Sequence, residues 1–117
     1  MIKNFILFKK YYDFQLWLIP TLNKFQKNQK YTLAEKIHQQ SLKILDLIIQ
    51  IAQNHERKNA LNKTDLELKK LKILIRLSKD LNLLTFEKYE HSSKKLVEIG
   101  KLTGGLIKLQ KEKAYIE

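Results

Sequence analysis

Four cations, Lys69, Lys72, Arg76 and Lys79, recur at spacings of three, four and three residues. On an α-helix that spacing places them on one face, along about 15 Å at 1.5 Å per residue. Further along, Lys94, Lys101 and Lys108 repeat every seven residues, with Lys95 and Lys111 close to the row. Two such stripes on successive helices are expected to merge into one patch of fixed positive charge. The chemistry of such a patch is neutralisation of a phosphate backbone or of an acidic protein groove. The competing reading is an ordinary solvated face, as most lysine stripes are. The formal net charge of +11 tips the balance towards a binding surface. Asp80 lies four residues from Arg76, so part of the charge is expected to be neutralised locally.

Other chemistries find no footing. His38, His55 and His91 are single and scattered, and no pair of them has metal-ligand spacing. Glu87 and Glu90 precede His91, which reads better as a surface or interface histidine than as a metal site. A hydrolytic centre needs a nucleophile held by an oriented base, and no local pattern supplies one. There is no glycine-rich phosphate loop, and the absence of cysteine removes thiolate ligands and nucleophiles. The expectation is a protein without catalytic activity, metal or cofactor. Tyr11, Tyr12, Phe14 and Trp17 are capable of stacking on bases, but their helical spacing assigns them to a core.

The elements that must position these charges follow from composition and periodicity. A chain of 117 residues with 44% hydrophobic content suits one packed domain, residues 1–117. One proline and three glycines are too few breakers for a sandwich or barrel. The excess of 23 Lys and Arg over 12 Asp and Glu attracts polyanions, nucleic acid first and an anionic membrane surface second. The apolar run Phe5-Ile6-Leu7-Phe8 is too short to span a bilayer, and no small-residue cleavage site follows it. A cytoplasmic protein without a membrane partner is expected.

Four helices are predicted. In the first, about Asn4 to Lys27, Phe5, Phe8, Tyr12, Leu16 and Ile19 form one apolar row, and Leu7, Tyr11, Phe14, Leu18 and Phe25 form another. Pro20 is expected to kink or split it. A loop is placed over Gln26 to Tyr31, with Thr32 as N-cap and Glu35 as capping-box partner. The second helix runs to about Asn54. Polar residues in its later half are confined to Lys43, Asp46, Gln50 and Gln53, so it must be covered on more than one side, which suggests a subunit interface. A polar connection, Gln53 to Asn62, leads to a third helix over Lys63 to Asn82, with Thr64 as candidate cap and Leu71, Leu74, Ile75, Ser78 and Leu81 as its core row. The fourth follows Thr85 to about Gln110, with Tyr89, Leu96, Ile99, Thr103 and Leu106 inward. Ser92, Ser93, Gly100 and Gly104 keep it thin for close approach, unless Gly104-Gly105 ends it early. Short connections imply an antiparallel, up-down-up-down four-helix bundle, an all-α fold.

Several stretches together resemble a known family. They include Tyr12-Asp13-Phe14-Gln15-Leu16-Trp17-Leu18-Ile19-Pro20, Lys24-Phe25 and Tyr31-Thr32-Leu33-Ala34-Glu35-Lys36-Ile37. Leu71-Lys72-Ile73-Leu74-Ile75-Arg76-Leu77-Ser78-Lys79-Asp80-Leu81, Tyr89-Glu90-His91 and Glu98-Ile99-Gly100-Lys101-Leu102-Thr103-Gly104-Gly105 are the strongest. In order and spacing, from about Tyr12 to Lys108, they are similar to the accessory variability protein of diversity-generating retroelements. The wider superfamily includes four-helix-bundle proteins encoded in ribosomal-RNA intervening sequences. The resemblance implies a barrel-shaped homopentamer, a retroelement reverse transcriptase and its RNA as partners, and a role in mutagenic copying. It carries partner binding onto Lys72, Arg76, Lys79 and Lys101. Gln26 departs from the family pattern, where proline is expected, and Lys replaces Arg at many basic positions, giving point charges in place of bidentate forks.

Three functions therefore compete. The first is an accessory subunit binding polymerase and RNA or DNA. The second is a nucleic-acid-binding protein of the intervening-sequence type without a reverse transcriptase. The third is a plain oligomerisation module whose lysine content reflects codon usage.

Overall fold

The computed structural model describes residues 2–116, the side chains at 2, 29–31 and 114–116 excepted. Four long helices carry the fold: α1 (Ile2–Leu22), α3 (Glu35–Ala52), α4 (Arg57–Asp80) and α5 (Phe86–Ile116). A short helix, α2 (Lys27–Gln29), runs through a π-helical stretch, Lys30–Ala34, into α3. The described residues contain no strand. The protein is an all-α bundle, as the periodicity predicts.

Each long helix ends for a local reason. Pro20 sits in the last turn of α1, and the helix ends two residues later at Leu22. Proline therefore neither splits nor relocates it; the lost hydrogen bond falls where the helix is finishing anyway. The Thr21 hydroxyl donates to the Trp17 carbonyl at 2.8 Å in that turn. At the end of α3, Asn54 takes a left-handed φ of 56°, His55 N–H bonds the Gln50 carbonyl, and Asn54 N–H bonds the Ile51 carbonyl. At the end of α4, Asn82 has φ 62°, and Leu83 and Asn82 bond Ser78 and Lys79 in the same pattern. Both are Schellman closures in which asparagine takes the place usually held by glycine. Thr85 opens α5, its Oγ1 accepting the Lys88 N–H at 3.2 Å.

Three boundary expectations are corrected. The loop over Gln26 to Tyr31 is largely helical backbone, so Thr32 lies inside a helical run and does not begin one. Glu35 instead accepts a hydrogen bond from Gln39 at 2.7 Å. The connection before α4 is only Gln53 to Glu56, because Arg57, Ala60 and Leu61 are buried and the helix must start early enough to place them. Thr64 is thus not a cap: it is fully buried in mid-helix and bonds the Ala60 carbonyl at 2.7 Å. Gly104-Gly105 does not interrupt α5, and neither Gly104 nor Gly105 lies against a neighbour. These two therefore do not serve close helix approach.

The core collects Leu7, Tyr11, Phe14 and Leu18 of α1, Ile44, Ile48 and Ile51 of α3, Leu61, Leu68, Leu71 and Ile75 of α4, and Leu96, Ile99 and Leu106 of α5. Leu81, predicted inward, is exposed at the end of α4, where the chain leaves the core. On α1 the inner row is Leu7-Tyr11-Phe14-Leu18; the other row, with Phe5, Tyr12 and Leu16, faces outward.

Polar groups fix how the helices meet. Asn4 Nδ2 donates to the Ile51 carbonyl at 2.9 Å, and Tyr11 and Gln15 both bond Ser41, so α1 and α3 run antiparallel. Lys10 meets Glu98 and Trp17 meets His91, which sets α1 antiparallel to α5 in the same way. Arg57 donates to Gln110, while Lys79 lies over Tyr89, giving the same relation between α4 and α5. Burial raises the Tyr11 hydroxyl far above its ordinary range, opposed by its hydrogen bonds to Ser41 and Gln15. It acts there as a neutral donor.

Candidate nucleic-acid interface

The basic stripe of α4 stands on the side chains beneath it. Leu68, Leu71, Ile75 and Ser78 are buried, which turns Lys69, Lys72, Arg76 and Lys79 away from the core. Lys72 and Lys79 lean onto α5. Lys72 Nζ lies 3.7 Å from the position a Gly100 β-carbon would take, and Lys79 Nζ sits 4.8 Å above the centroid of the Tyr89 ring. Tyr89, predicted inward, is half-buried, and its ring supports this lysine at the rim. A cation over an aromatic face gains roughly 0.5–1 kcal/mol at an exposed site.

On α5 the buried row is Ser92, Leu96, Ile99, Thr103 and Leu106. At 3.6 residues per turn, Lys94, Lys101 and Lys108 project from the opposite side. Lys72 reaches over Gly100 at the α4–α5 contact, while Lys101, one residue on, points outward from the bundle. Lys95 does not join them. It lines a cleft between α1 and α5 with Lys10, Asp13, Trp17, His91 and Glu98, on the other flank of α5.

The cations differ in how free they are. Lys69 pairs with Asp65 at 3.3 Å, Lys94 with Glu90 at 3.3 Å, and Arg76 and Lys79 share Asp80 at 3.9 and 3.2 Å. Asp80 thus neutralises part of the α4 stripe. Lys72, Lys101 and Lys108 have no carboxylate within pairing distance among the described residues. Exposed pairs such as these contribute only ~0–1 kcal/mol. The free lysines carry the strongest claim on a polyanion.

Sequence reasoning did not find the buried polar groups that hold the face in place. Arg57 is buried and donates to Gln110 and to Asn4, while Asn4 donates to Ile51, so one cluster ties all four long helices together. Glu67 is buried at the α3–α4 contact. It accepts from Gln40 at 2.6 Å and is approached by Lys70 at 3.2 Å and Lys43 at 3.5 Å. The Gln40 hydrogen bond, helped by the two lysines, holds its carboxyl below the ordinary carboxylate range against the opposing effect of burial. Glu98 is lowered and Lys10 raised by their shared hydrogen bond at 2.7 Å. Helical spacing marks such residues as inward but gives no partner across the core.

Of the four aromatics, Tyr11 and Phe14 are core, Trp17 is half-buried and Tyr12 exposed. The His91 ring lies 4.6 Å from Trp17, at the surface between two helices. Among the described residues, no group of three or more His, Asp or Glu side chains is arranged to hold a metal. No described helix is long and apolar enough to cross a membrane.

Comparison with curated proteins and with solved structures finds no match. A family model does match, over residues 5–110, nearly the whole of the helical bundle and both basic stripes. The chain belongs to the bAvd-like family.

Proposed function

We propose that the protein is the accessory subunit of a diversity-generating retroelement, binding the reverse transcriptase and its template RNA through the α4–α5 basic face and supporting mutagenic cDNA synthesis. The observation that carries this reading is that Lys72, Lys101 and Lys108 have no carboxylate partner among the described residues, in a chain of net charge +11 that belongs to the bAvd-like family. Positive charge held on rigid helices attracts phosphate without needing to be reorganised. The subunit contributes binding and no chemistry, acts in the cytoplasm, and needs no cofactor.

We further propose that it works as a homo-oligomer, a pentamer, of up-down-up-down bundles arranged as a ring. Phe5 is 63% exposed and Leu16 62%, and Tyr12 lies between them on the same row of α1. Ile49 is exposed on α3 at the level of Phe5, since Asn4 meets Ile51. An outward row of this size on a soluble bundle favours burial against another subunit.

The test is reconstitution with the reverse transcriptase encoded at the same locus. Co-purification, together with RNA binding that weakens steeply with salt, is the expected result. RNA binding without any polymerase association would favour the intervening-sequence type. Neither would leave an oligomerisation module.

A further inference from the structure

The basic stripe of α4 has an apolar companion. Leu66, Ile73 and Leu77 are 53%, 67% and 44% exposed, and they lie on the side of α4 directly opposite its buried row. With Lys70 they recur at spacings of four, three and four residues, the repeat by which one helix packs along another. The seam runs about 16 Å, three turns of helix. Lys69 and Arg76 edge one side of it, Lys63 edges the other, and Lys70 stands within it. All of α4 holds eight cations against three carboxylates.

We propose that this outer face of α4 is a docking seam for a helix of a partner protein, apolar along its own seam and carrying carboxylates at its edges and opposite Lys70. The charge selects the occupant. A second copy, whichever face it offered, would bring another chain of net charge +11 against a helix that holds eight cations. Nucleic acid fits the edges but not the seam, because leucine and isoleucine neither stack on bases as aromatic rings do nor hydrogen-bond to them. An acidic-edged helix satisfies both: its apolar row covers Leu66, Ile73 and Leu77, and its carboxylates displace the weak local pairs Lys69–Asp65 and Arg76–Asp80. Protein then takes the outer side of α4 and nucleic acid the cations beside it on α4 and α5, with Lys69 and Arg76 on the border between the two.

That the partner is the polymerase rests on the function proposed above. The experiment measures binding of the locus's reverse transcriptase and of its RNA, separately, to the full-length protein and two variants. One is L66Q/I73Q/L77Q; the other is Lys63→Glu, which places an anion at the edge of the seam. Polymerase affinity falling by about tenfold or more in both, with RNA binding and helix content unchanged, is the expected result. Unchanged polymerase binding in both variants overturns the docking seam and leaves the function intact. Loss of RNA and polymerase binding together, in a folded variant, also overturns it, since the two surfaces would then be one. If the apolar variant loses helix content, Lys63→Glu decides alone; particles smaller than the parent's in sedimentation, in either folded variant, would assign the face to a second copy and overturn the seam. A parent protein that binds RNA but no polymerase fails the functional reading itself, and the seam falls with it.

Discussion

Lys72 of α4 reaches across to α5 and holds its ammonium 3.7 Å from the point where Gly100 would carry a β-carbon. That is ordinary contact distance, and the atom met is the free end of a flexible side chain. Gly100 therefore leaves room for Lys72 without being required by it. Gly104 and Gly105 face open space. All three have ordinary helical backbone, since no glycine takes a positive φ.

Replacing these glycines with alanine is expected to stabilise the bundle. Alanine is favoured over glycine in a helix interior by about 1 kcal/mol. Gly104→Ala and Gly105→Ala are expected to gain most of that, and Gly100→Ala slightly less because Lys72 must adjust. Urea unfolding followed by circular dichroism checks it. A loss of stability at Gly104 or Gly105 would mean that another chain packs there.

The cluster of Asn4, Arg57 and Gln110 makes a second expectation. Arg57→Met preserves much of the volume but leaves the Asn4 and Gln110 side-chain oxygens without their donor. Leaving buried acceptors unsatisfied costs roughly 1–3 kcal/mol. Unfolding should show a loss in that range. Replacing Lys58, its exposed neighbour, with methionine should be close to neutral.

Glu67 gives the stability a pH dependence of known sign. Its folded carboxyl is held below the ordinary value of 4.5 by the Gln40 hydrogen bond and by Lys70 and Lys43. The stabilisation is thus fully present above that value and is lost as pH falls through the lower, folded one. Glu67→Gln should be less stable than the parent near neutrality, and the gap should close on acidification below about pH 4.5. Thermal melts of both proteins across that range test it; a gap independent of pH would remove the charge from the account.

Much of the fold was legible in the sequence because helical spacing reports directly on burial. Leu96, Ile99, Thr103 and Leu106 are inward as their period requires, and Thr85 opens α5. The errors lie where periodicity gives no information. Two apolar rows on α1 look equivalent in sequence, and only the positions of α3 and α5 make Tyr11 core and Tyr12 exposed. The start of α4 is not legible because Arg57 and Asn59 read as loop residues, whereas Arg57 is buried by partners from distant segments. For the interface, the stripe spacing set Lys69, Lys72, Arg76 and Lys79 on one face. It did not tell which of them are paired, nor that Lys95 belongs to the α1–α5 cleft. Leu66, Ile73 and Leu77 are not legible as a surface in the sequence, because an exposed apolar row is recognised only once the buried one is known.

The outward row of α1 makes the assembly testable. Leu16→Glu places a charge on the exposed face without touching the core. The expected result is smaller particles in sedimentation, with helix content retained. A parent protein that is already monomeric at micromolar concentration would reject the assembly, whereas a dimer would reject only the pentamer.

The final expectation separates the two stripes. The Lys94→Gln/Lys101→Gln/Lys108→Gln variant removes two unpaired cations and one weakly paired one. The Lys72→Gln/Arg76→Gln/Lys79→Gln variant removes one unpaired cation and two that share Asp80. Each phosphate contact to a single strand contributes about 0.7 to the slope of log affinity against log salt. Full engagement of three lysines therefore predicts a slope flatter by roughly 2 in the α5 variant. The α4 variant should flatten it by less, since Asp80 already neutralises part of the charge of Arg76 and Lys79. All six side chains lie outside the core, so both variants should retain the parent's helix content. Leu71→Gln, in contrast, buries an amide among Leu68, Ile75 and their neighbours and should unfold the bundle before it reveals anything about binding. If both triple variants keep the parent's affinity and salt slope, the stripes are solvated faces and the polyanion site lies elsewhere. If the α4 variant proves the weaker binder, Asp80 does not compete with phosphate, and the local ion pairs open on contact.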